Sequence, residues 1–551
     1  MINKVGCFLC LIVILFHLQL NSEWIHNGVP ICIDDSSQSA ISLNYDNLGR
    51  AIIAWQDKRN GNWDIYAQKF DSIGSIQWLQ NGVAVCMDSF QQYSPQVSQD
   101  TEGNAIIVWG DSRAKVYAQR LNSSGNTLWT ENGINIGLNL DECHDPKIIS
   151  DNEGGAIIIL GGKLTGQRTN IYGFKIDSTG NLVWGDDGIV VSSDTNNHRN
   201  PKIVSDNEGG LIVIWKDSRD TLGNDFIYSQ RISSEGIILW TSEGVPVCRS
   251  DNDKYNYEIT SDRANGAIIT WQDKRDYIWK IYAQRIDSAG NPVWLEDGVK
   301  IAKDIVQGFY PELISDGQGN TIVTWLHTGY HIYGQCLDSI GNIMWDSVGV
   351  RICPYNSYQN YPAIITDNSG GGIIVWEDER NGNKDIYAQR INSEGVSQWT
   401  PNGVVIRDTI NDQMSHIVVS DNSGGGIIAW VDKRNGNWDI YAQHVDNDGN
   451  TGIIKINNTS AIENNILYVS NKNNIVSIVY ELAKQGNIQL NIYNISGQLI
   501  KTLYKGVKRK GTYKTEWNIK DSNGNTVPDG IYFCILKIEN YEIAKKVLIL
   551  E

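Results

Sequence analysis

A Trp-x-Asp-x-Arg pattern recurs along this 551-residue chain and is the first candidate for chemistry. Its three side chains alternate along an extended segment, so they lie on one face of a strand. Because an active site is needed only once, we interpret the repeated Asp–Arg pair as a tie within a hairpin or between neighbouring repeats. The six copies are Trp55-Asp57-Arg59, Trp109-Asp111-Arg113, Trp215-Asp217-Arg219, Trp271-Asp273-Arg275, Trp376-Asp378-Arg380 and Trp430-Asp432-Arg434.

Two repeats depart from this pattern, with Gly162 and His327 at the Asp position. His327 and His331 flank a short turn and could clamp a metal ion, but no carboxylate or Cys stands beside them in the sequence to complete a site. The chain contains no GxSxG, HExxH or phosphate-loop motif. The sequence therefore leaves the catalytic residues unknown and predicts no metal and no cofactor.

The best binding candidates are tryptophans in turns. The string RNGNW occurs twice and supplies Trp63 and Trp438, and Trp279 stands in a similar turn. Exposed Trp beside Asn and Asp suits stacking on sugar faces, and it also suits protein interfaces. Alternatively, the rings of Trp63 and Trp438 lie against the neighbouring Arg59 and Arg434 as cation–π pairs. We predict a ligand-binding site formed by Trp63, Trp279 and Trp438.

These residues belong to a repeat of 51 to 56 residues, a spacing typical of β-propeller blades. Each repeat reads as four short strands separated by Gly- and Asp-rich turns. The first strand is predicted to begin at a proline in several copies, namely Pro95, Pro146, Pro201, Pro311 and Pro362. The second strands are anchored by Trp55, Trp109, Leu160, Trp215, Trp271, Trp325, Trp376 and Trp430. The propeller part of the chain resembles other repeat proteins in architecture only.

The last repeat lacks the Trp that ends the fourth strand in the others, and the segment around Trp24 matches the missing piece. We therefore predict that this segment pairs beside Tyr441 and closes a ring, which removes the free sheet edges. In such a ring the second-to-third turns and the fourth-to-first loops share one end. Trp63 and Trp438 then become neighbours at that end.

Composition narrows the function classes. The net charge of −17 argues against nucleic acid as a partner, because such binding depends on neutralising phosphates. Residues 1–22 carry one Lys before an apolar run and have the form of a secretory signal peptide, with a retained membrane anchor as the alternative. Cys32, Cys86, Cys248 and Cys353 share one repeat position, which favours buried free thiols over a disulfide framework.

The last ninety residues have a different pattern. Residues 457–461 are predicted to form a linker, and 462–551 contain LNIYNISGQLIKTL, GTYKTEWNIKDSNGNTVPDGIYFCIL and a terminal KKVLIL motif. This string resembles the C-terminal sorting domain of proteins exported by the type IX secretion system. It is also similar to the Ig-like domain of the flagellar hook-capping protein. The resemblance implies a seven-stranded sandwich recognised by an outer-membrane export machine; a stabilising module is the alternative.

The predicted fold class is all-β: an eight-bladed β-propeller over residues 23–456, followed by a small Ig-like β-sandwich over 462–551. We expect a protein that is secreted or held at the bacterial cell surface and that acts in binding, adhesion or scaffolding. Its expected partners are the type IX secretion machinery and a surface glycan or extracellular protein. The alternative is an extracellular glycan-degrading hydrolase. Unpaired carboxylates at the channel mouth would favour the enzyme, and paired or apolar groups would favour binding.

Overall fold

The structure is a computed structural model that describes residues 24, 28–46, 49–100, 102–219, 224–303, 307–451, 466–472, 475–482, 485–494, 498–528, 530–538 and 541–549. The chain divides into two compact units, residues 1–454 and 455–551. All regular structure within the described ranges is β, and no helix in them could span a membrane. The predicted signal peptide (1–22) and linker (457–461) lie outside the described residues.

The first unit begins with strand β1 (Val29–Cys32) and continues as antiparallel sheets of four strands. Sheets 1 to 4 consist of β2 (Gln38–Tyr45), β3 (Arg50–Asp57), β4 (Asp64–Asp71) and β5 (Val83–Cys86); β6 (Gln92–Gln99), β7 (Ala105–Asp111), β8 (Val116–Leu121) and β9 (Ile134–Ile136); β10 (Glu142–Ser150), β11 (Ala156–Lys163), β12 (Asn170–Ile176) and β13 (Ile189–Val190); β14 (His198–Ser205), β15 (Leu211–Asp217), β16 (Phe226–Ile232) and β17 (Val245–Cys248).

The remaining sheets of this unit repeat the same order. Sheets 5 to 8 consist of β18 (Lys254–Ser261), β19 (Ala267–Asp273), β20 (Lys280–Ile286) and β21 (Val299–Lys300); β22 (Gly308–Ser315), β23 (Thr321–His327), β24 (His331–Leu337) and β25 (Val350–Arg351); β26 (Gln359–Thr366), β27 (Gly372–Asp378), β28 (Asp385–Ile391) and β29 (Val404–Arg407); β30 (Gln413–Ser420), β31 (Gly426–Asp432) and β32 (Asp439–Val445) with β1 as the fourth strand.

Neighbouring sheets meet through their first strands. Strand β2 contacts β6, β6 contacts β10, and the series continues through β14, β18, β22, β26 and β30, which contacts β2 again. The contacts therefore run round a closed circuit, and the first unit has a β-propeller-like fold.

The N-terminal strand closes this circuit, as predicted. Strand β1 pairs antiparallel with β32, with Val29 opposite Ala442 and Pro30 opposite Tyr441. Trp24 is buried, and its Nε1–H donates to the carbonyl of Ser72 in sheet 1 at 2.8 Å. The same Trp-to-carbonyl hydrogen bond links each of the remaining seven pairs of neighbouring sheets. The pairs are Trp78–Ser123, Trp129–Ser178, Trp184–Ser234, Trp240–Ser288, Trp294–Ser339, Trp345–Ser393 and Trp399–Asn447.

The core of each sheet surrounds the anchor of its second strand. The anchor tryptophans, such as Trp55, are fully buried. Gly82 lies against the ring of Trp55 so closely that a Cβ there would come within 2.3 Å of it, so the site admits only glycine. The cysteines in the described ranges are buried free thiols, as predicted, and burial raises the pKa of Cys32 to about 12.

Each first strand contains a β-bulge with one residue at positive φ, namely Ala40, Ser94, Asp145, Asn200, Asn256, Tyr310, Tyr361 or Ser415. The prediction that these strands begin at a proline is wrong: β6 begins at Gln92, three residues before Pro95. Pro95 directly follows the bulge residue Ser94, where the ladder is interrupted and a backbone N–H is not needed.

Within its described residues, the second unit contains seven strands in two sheets. They are β33 (Ile466–Lys472), β34 (Ile475–Leu482), β35 (Gly486–Asn494), β36 (Leu499–Lys508), β37 (Gly511–Trp517), β38 (Gly530–Ile538) and β39 (Tyr541–Ile549). One sheet has the order β33-β34-β37 and the other β36-β35-β38-β39. Trp517 is buried between apolar residues that include Leu490 and Cys534, and its Nε1–H donates to the carbonyl of Lys520 at 2.8 Å. This arrangement agrees with the expected Ig-like sandwich.

Candidate functional site

The turns between second and third strands and the loops between fourth and first strands lie at one end of the sheets, here called the loop end. In sheet 1, Cys86 at the end of β5 pairs with Ile65 near the start of β4. In sheet 2, Gln92 at the start of β6 pairs with Asp111 at the end of β7. The backbone N–H of Gln92 also donates to the carbonyl of Trp63 at 2.8 Å, which joins sheets 1 and 2 at this end.

The Trp-x-Asp-x-Arg residues are structural, as predicted. Buried Asp57 accepts hydrogen bonds from Nε1 of Trp55 at 2.8 Å and from Nε of Arg59 at 2.9 Å. Arg59 continues to Sγ of Cys32 in sheet 8 at 3.2 Å and to the carbonyl of Asn81 at 2.9 Å. The pair therefore ties the hairpin of one sheet to the fourth strand of its neighbour.

These buried pairs predict a loss of stability in acid. Burial alone would raise the pKa of Asp273 and Asp378, but hydrogen bonds and charge from Arg275 and Arg380 hold both pKa values below the ordinary range. A depressed carboxyl pKa contributes stability that is full above the unfolded value of about 4 and is lost as the pH falls below it. When the melting temperature is measured from pH 7 to pH 2, we expect it to decrease once the pH is lower than about 4. The slope should be shallower in the Asp378→Gly/Arg380→Leu variant, and parallel curves would contradict the assignment.

Trp63, Trp279 and Trp438 are half-buried at the loop end. Each lies beside a lysine of its own turn, with Lys58, Lys274 and Lys433 placing Nζ 5.7, 5.4 and 5.3 Å from the respective ring centres.

The alternative that Trp63 and Trp438 form cation–π pairs with Arg59 and Arg434 is wrong. The cation beside each ring is a lysine, and the two arginines stack on Tyr66 and Tyr441. No ring contact joins Trp63 to Trp438 in the part of the chain that the structure describes. A role for these tryptophans in ligand binding stays a prediction.

A group of exposed aromatic side chains at the loop end consists of tyrosines from sheets 5, 6 and 7. We call Tyr255, Tyr310, Tyr330, Tyr358 and Tyr361 the tyrosine surface; each is at least 40% exposed. The rings of Tyr310 and Tyr361 have centroids 5.2 Å apart, and those of Tyr330 and Tyr358 are 4.5 Å apart. Tyr255 meets the edge of Trp279 at 5.4 Å. Two aromatic pairs therefore stand side by side at the boundary between sheets 6 and 7.

Two of these tyrosines occupy strained bulge positions. Tyr310 and Tyr361 have φ of 50° and 51°, in the left-handed region that bulky residues rarely adopt. The six equivalent positions hold Ala, Ser, Asp or Asn, which are small or tolerate this region better. The N–H of Tyr310 donates to Oε1 of Gln272 in the neighbouring sheet at 3.1 Å, which fixes the bulge. Strain of this kind is often found at functional sites.

Sequence reasoning missed this surface because it searched the turns for tryptophan. A signal was present: aligning the repeats on the residue that precedes the first-strand proline places Tyr310 and Tyr361 where Ser94 and Asn200 stand in other copies.

Four charged residues lie at equivalent positions on the first strands, which line the interior of the circuit of sheets. Lys147, Lys202, Glu258 and Glu312 occupy one register position on the first strands of sheets 3 to 6. Lys202 and Glu258 form an ion pair. Burial, and then the negative charge of Glu258, raise the pKa of Glu312 well above its ordinary value, while burial and Lys202 lower the pKa of Lys147.

The two histidines considered for metal binding face each other across the β23–β24 hairpin. Arg351 donates to Nδ1 of His331 at 3.1 Å. Burial and the charge of Arg351 lower the pKa of His331. A guanidinium group, rather than a carboxylate, therefore completes the surroundings of this pair.

Comparison with known proteins matches the second unit to a family. The profile of the FlgD Ig-like domain matches residues 448–537, and no curated protein sequence matches the chain. Similar solved structures include FlgD from P. aeruginosa (20% identity, 16% of this chain, 77% of that chain, TM-score 0.13). They also include the BP39L lectin from Burkholderia pseudomallei (11% identity, 68% of this chain, 100% of that chain, TM-score 0.44). A third is an endo-arabinase from Bacteroides thetaiotaomicron (14% identity, 49% of this chain, 99% of that chain, TM-score 0.26).

Proposed function

We propose that this protein is a secreted or surface-displayed eight-bladed β-propeller that binds a neutral glycan on its tyrosine surface. The observation that carries the proposal is the exposed pair of Tyr310 and Tyr361, which place two bulky rings in contact at left-handed bulge positions where the other sheets have Ala, Ser, Asp or Asn. Adjacent exposed rings with polar neighbours such as Asn256 suit the apolar face and the hydroxyl groups of a sugar.

Net charge selects among the glycans. The chain carries −17 overall, so long-range repulsion disfavours uronic-acid and sulfated polymers. Paired tyrosine rings bind through stacking and hydroxyl hydrogen bonds, which need no ligand charge. We therefore place neutral hexose or pentose chains ahead of acidic ones.

The blade count and the export route belong to the same proposal. The closed circuit of first-strand contacts and the pairing of β1 with β32 support eight blades. The resemblance of the whole C-terminal motif string, ending in KKVLIL, to type IX sorting domains supports export by that machinery, although the part between Trp517 and Gly530 is nearer to the hook-capping domain. Such a route places the protein outside the cell or on the bacterial surface.

The test is a glycan array of neutral and acidic polymers, followed by calorimetry on the best hit. The full chain is compared with Tyr310→Ser/Tyr361→Ser, which copies the bulge residues of sheets 2 and 8 and therefore should keep the fold. We expect wild-type binding to neutral polymers and at least about a tenfold weaker affinity in the variant, as for loss of interface hot-spot residues.

The matched control is Trp63→Ala/Trp438→Ala, since sheet 2 has Ala114 at the position equivalent to Trp63. This variant should bind like wild type if the tyrosine surface is the site. Loss of binding in the tryptophan variant alone would move the site to Trp63 and Trp438. Equal binding in all three proteins would exclude both surfaces.

A hydrolase is the second candidate, favoured by one observation. Burial and the charge of Glu258 on the neighbouring sheet raise the pKa of Glu312, and a carboxyl of raised pKa beside a second carboxyl group is the pattern of a glycosidase acid–base pair. Binding is preferred because Glu258 is already paired with Lys202. The array incubations are therefore assayed for reducing ends. Release that disappears in Glu312→Gln would establish the hydrolase.

A further inference from the structure

Sheet 4 brings a histidine and a loop aspartate against Asp217, the repeat aspartate that is already paired with Arg219. His198 begins β14 and pairs directly with Asp217 at the end of β15, while Asp194 lies in the loop before β14. Nε2 of His198 lies 3.1 Å from Oδ2 of Asp217 and 3.3 Å from Oδ1 of Asp194. His198 and Asp217 are fully buried and Asp194 is half-buried.

The other ring nitrogen fixes the tautomer. Nδ1 of His198 lies 2.8 Å from Oδ1 of Asn170. The amide of Asn170 is oriented by its own bonds, because Nδ2 donates to the carbonyl of Ser192 at 3.0 Å and Oδ1 accepts from the N–H of Ile171 at 2.7 Å. Oδ1 can only accept, so Nδ1 of His198 carries the proton and donates it.

This tautomer leaves Nε2 facing two carboxylates. A neutral imidazole protonated at Nδ1 presents a lone pair at Nε2, and a lone pair 3.1 Å from a carboxylate oxygen is repelled. Nε2 is buried and makes no well-aligned hydrogen bond. A cation between Nε2 and the two carboxylates removes the repulsion and gives Nε2 a partner, while Asp217 keeps its bonds from Arg219 and Trp215 and Asp194 keeps its bonds from Asn196.

The equivalent position in sheet 5 already holds a cation. Lys254 pairs with Asp273 as His198 pairs with Asp217, and its buried ammonium donates to loop carbonyls, including that of Asn252 at 2.6 Å. This lysine stands next to the Asp273–Arg275 ion pair. The fold therefore tolerates a second positive charge beside an Asp–Arg ion pair. By the same reasoning, Arg219 does not exclude a metal ion beside Asp217 in sheet 4. Four other sheets carry neutral Gln38, Gln92, Gln359 and Gln413 here.

We propose that Asp194, His198 and Asp217 bind one divalent transition-metal ion of the Zn²⁺ type. Imidazole nitrogen with carboxylate oxygen is a donor set that Zn²⁺ accepts, at about 2.0–2.2 Å from each ligand. Ligands at that distance and near-tetrahedral angles stand about 3–3.5 Å apart, which fits the separations from Nε2. Asn170 on the ring and Arg219 on Asp217 orient the ligands. The ion ties the loop before β14 to the β14–β15 pair.

The test uses the full chain without a histidine tag, dialysed against a chelator and then into metal-free buffer. Calorimetry with Zn²⁺ should show one site in wild type, and mass spectrometry of the desalted protein should find one bound ion. His198→Gln copies sheets 1, 2, 7 and 8 and should fold, and its Zn²⁺ affinity should fall at least about tenfold. Asp194→Asn is the second variant, since this half-buried loop residue can be changed without altering the strands.

Two controls make the outcome decisive. His331→Gln removes the other loop-end histidine pair and should leave the heats unchanged. Ca²⁺ should bind weakly at the same site, because it requires more oxygen ligands. Retention of wild-type Zn²⁺ binding in both His198→Gln and Asp194→Asn would overturn the proposal, as would an absence of bound ion in wild type at millimolar Zn²⁺.

Discussion

Deleting residues 23–33 should lower the free energy of unfolding of the first unit by more than about 4 kcal/mol. The deletion removes Trp24, which is 2% exposed, together with β1. Burying a Trp contributes about 3–5 kcal/mol relative to Ala, and the loss also unpairs the outer edge of β32. Urea denaturation followed by tryptophan fluorescence measures the change as a shift of the midpoint.

The matched control is deletion of residues 1–22, which leaves β1 in place and should unfold at the wild-type midpoint. Trp24→Ala should lie between the two, because it keeps β1 but removes the bond to Ser72 and the contact with Phe70. A synthetic peptide of residues 23–33 should restore part of the lost stability in trans. If the 23–33 deletion unfolds like the control, ring closure contributes nothing.

Asp378→Ala should cost about 3–5 kcal/mol, because it leaves the largely buried guanidinium of Arg380 without its carboxylate. Asp378 is fully buried and accepts bonds from Nε1 of Trp376 and from Arg380. The hydroxyl of Ser357 and the backbone N–H of Arg380 also donate to it, so five donors lose their acceptor at once, and burial prevents water from replacing it. Urea denaturation again gives the change in free energy.

The chain supplies its own control for this substitution. Sheet 3 places Gly162 and Leu164 where other sheets have the Asp–Arg pair, and Leu164 packs against the apolar core. Asp378→Gly/Arg380→Leu copies sheet 3 and removes both charges together. It should be closer to wild type than Asp378→Ala, giving a coupling free energy of about 1–3 kcal/mol. A double variant less stable than the single would contradict the role assigned to the unpaired arginine.

Much of the fold followed from the sequence because the repeat supplies many independent copies of one pattern. The Gly-rich turns and the buried anchors such as Trp55 gave the strand order, and the displaced Trp24 segment gave the closure. The starts of the first strands were wrong because a bulge was not considered. Proline suits a strand's first residue, but Pro95 lies inside the strand, where the ladder is interrupted.

The candidate sites were harder to predict for a physical reason. The tyrosine surface depends on which side chains from different sheets meet, and the 5.2 Å contact of Tyr310 with Tyr361 joins residues in separate repeats. The cluster of His198 with Asp194 and Asp217 depends on strand register, and on an amide that fixes the histidine tautomer. Neither register across a bulge nor a tautomer can be read from spacing alone.

Sheet 8 is assembled from both ends of the first unit, and this constrains the timing of biogenesis. Strand β1 emerges first from the ribosome, yet its hydrogen-bonding partner β32 emerges about four hundred residues later. Every shorter nascent chain has an unfilled seam beside sheet 1. The propeller-like unit therefore cannot complete its folding while its early repeats are being synthesised. A polypeptide truncated before Asp439 lacks β32, so β1 has no strand to pair with.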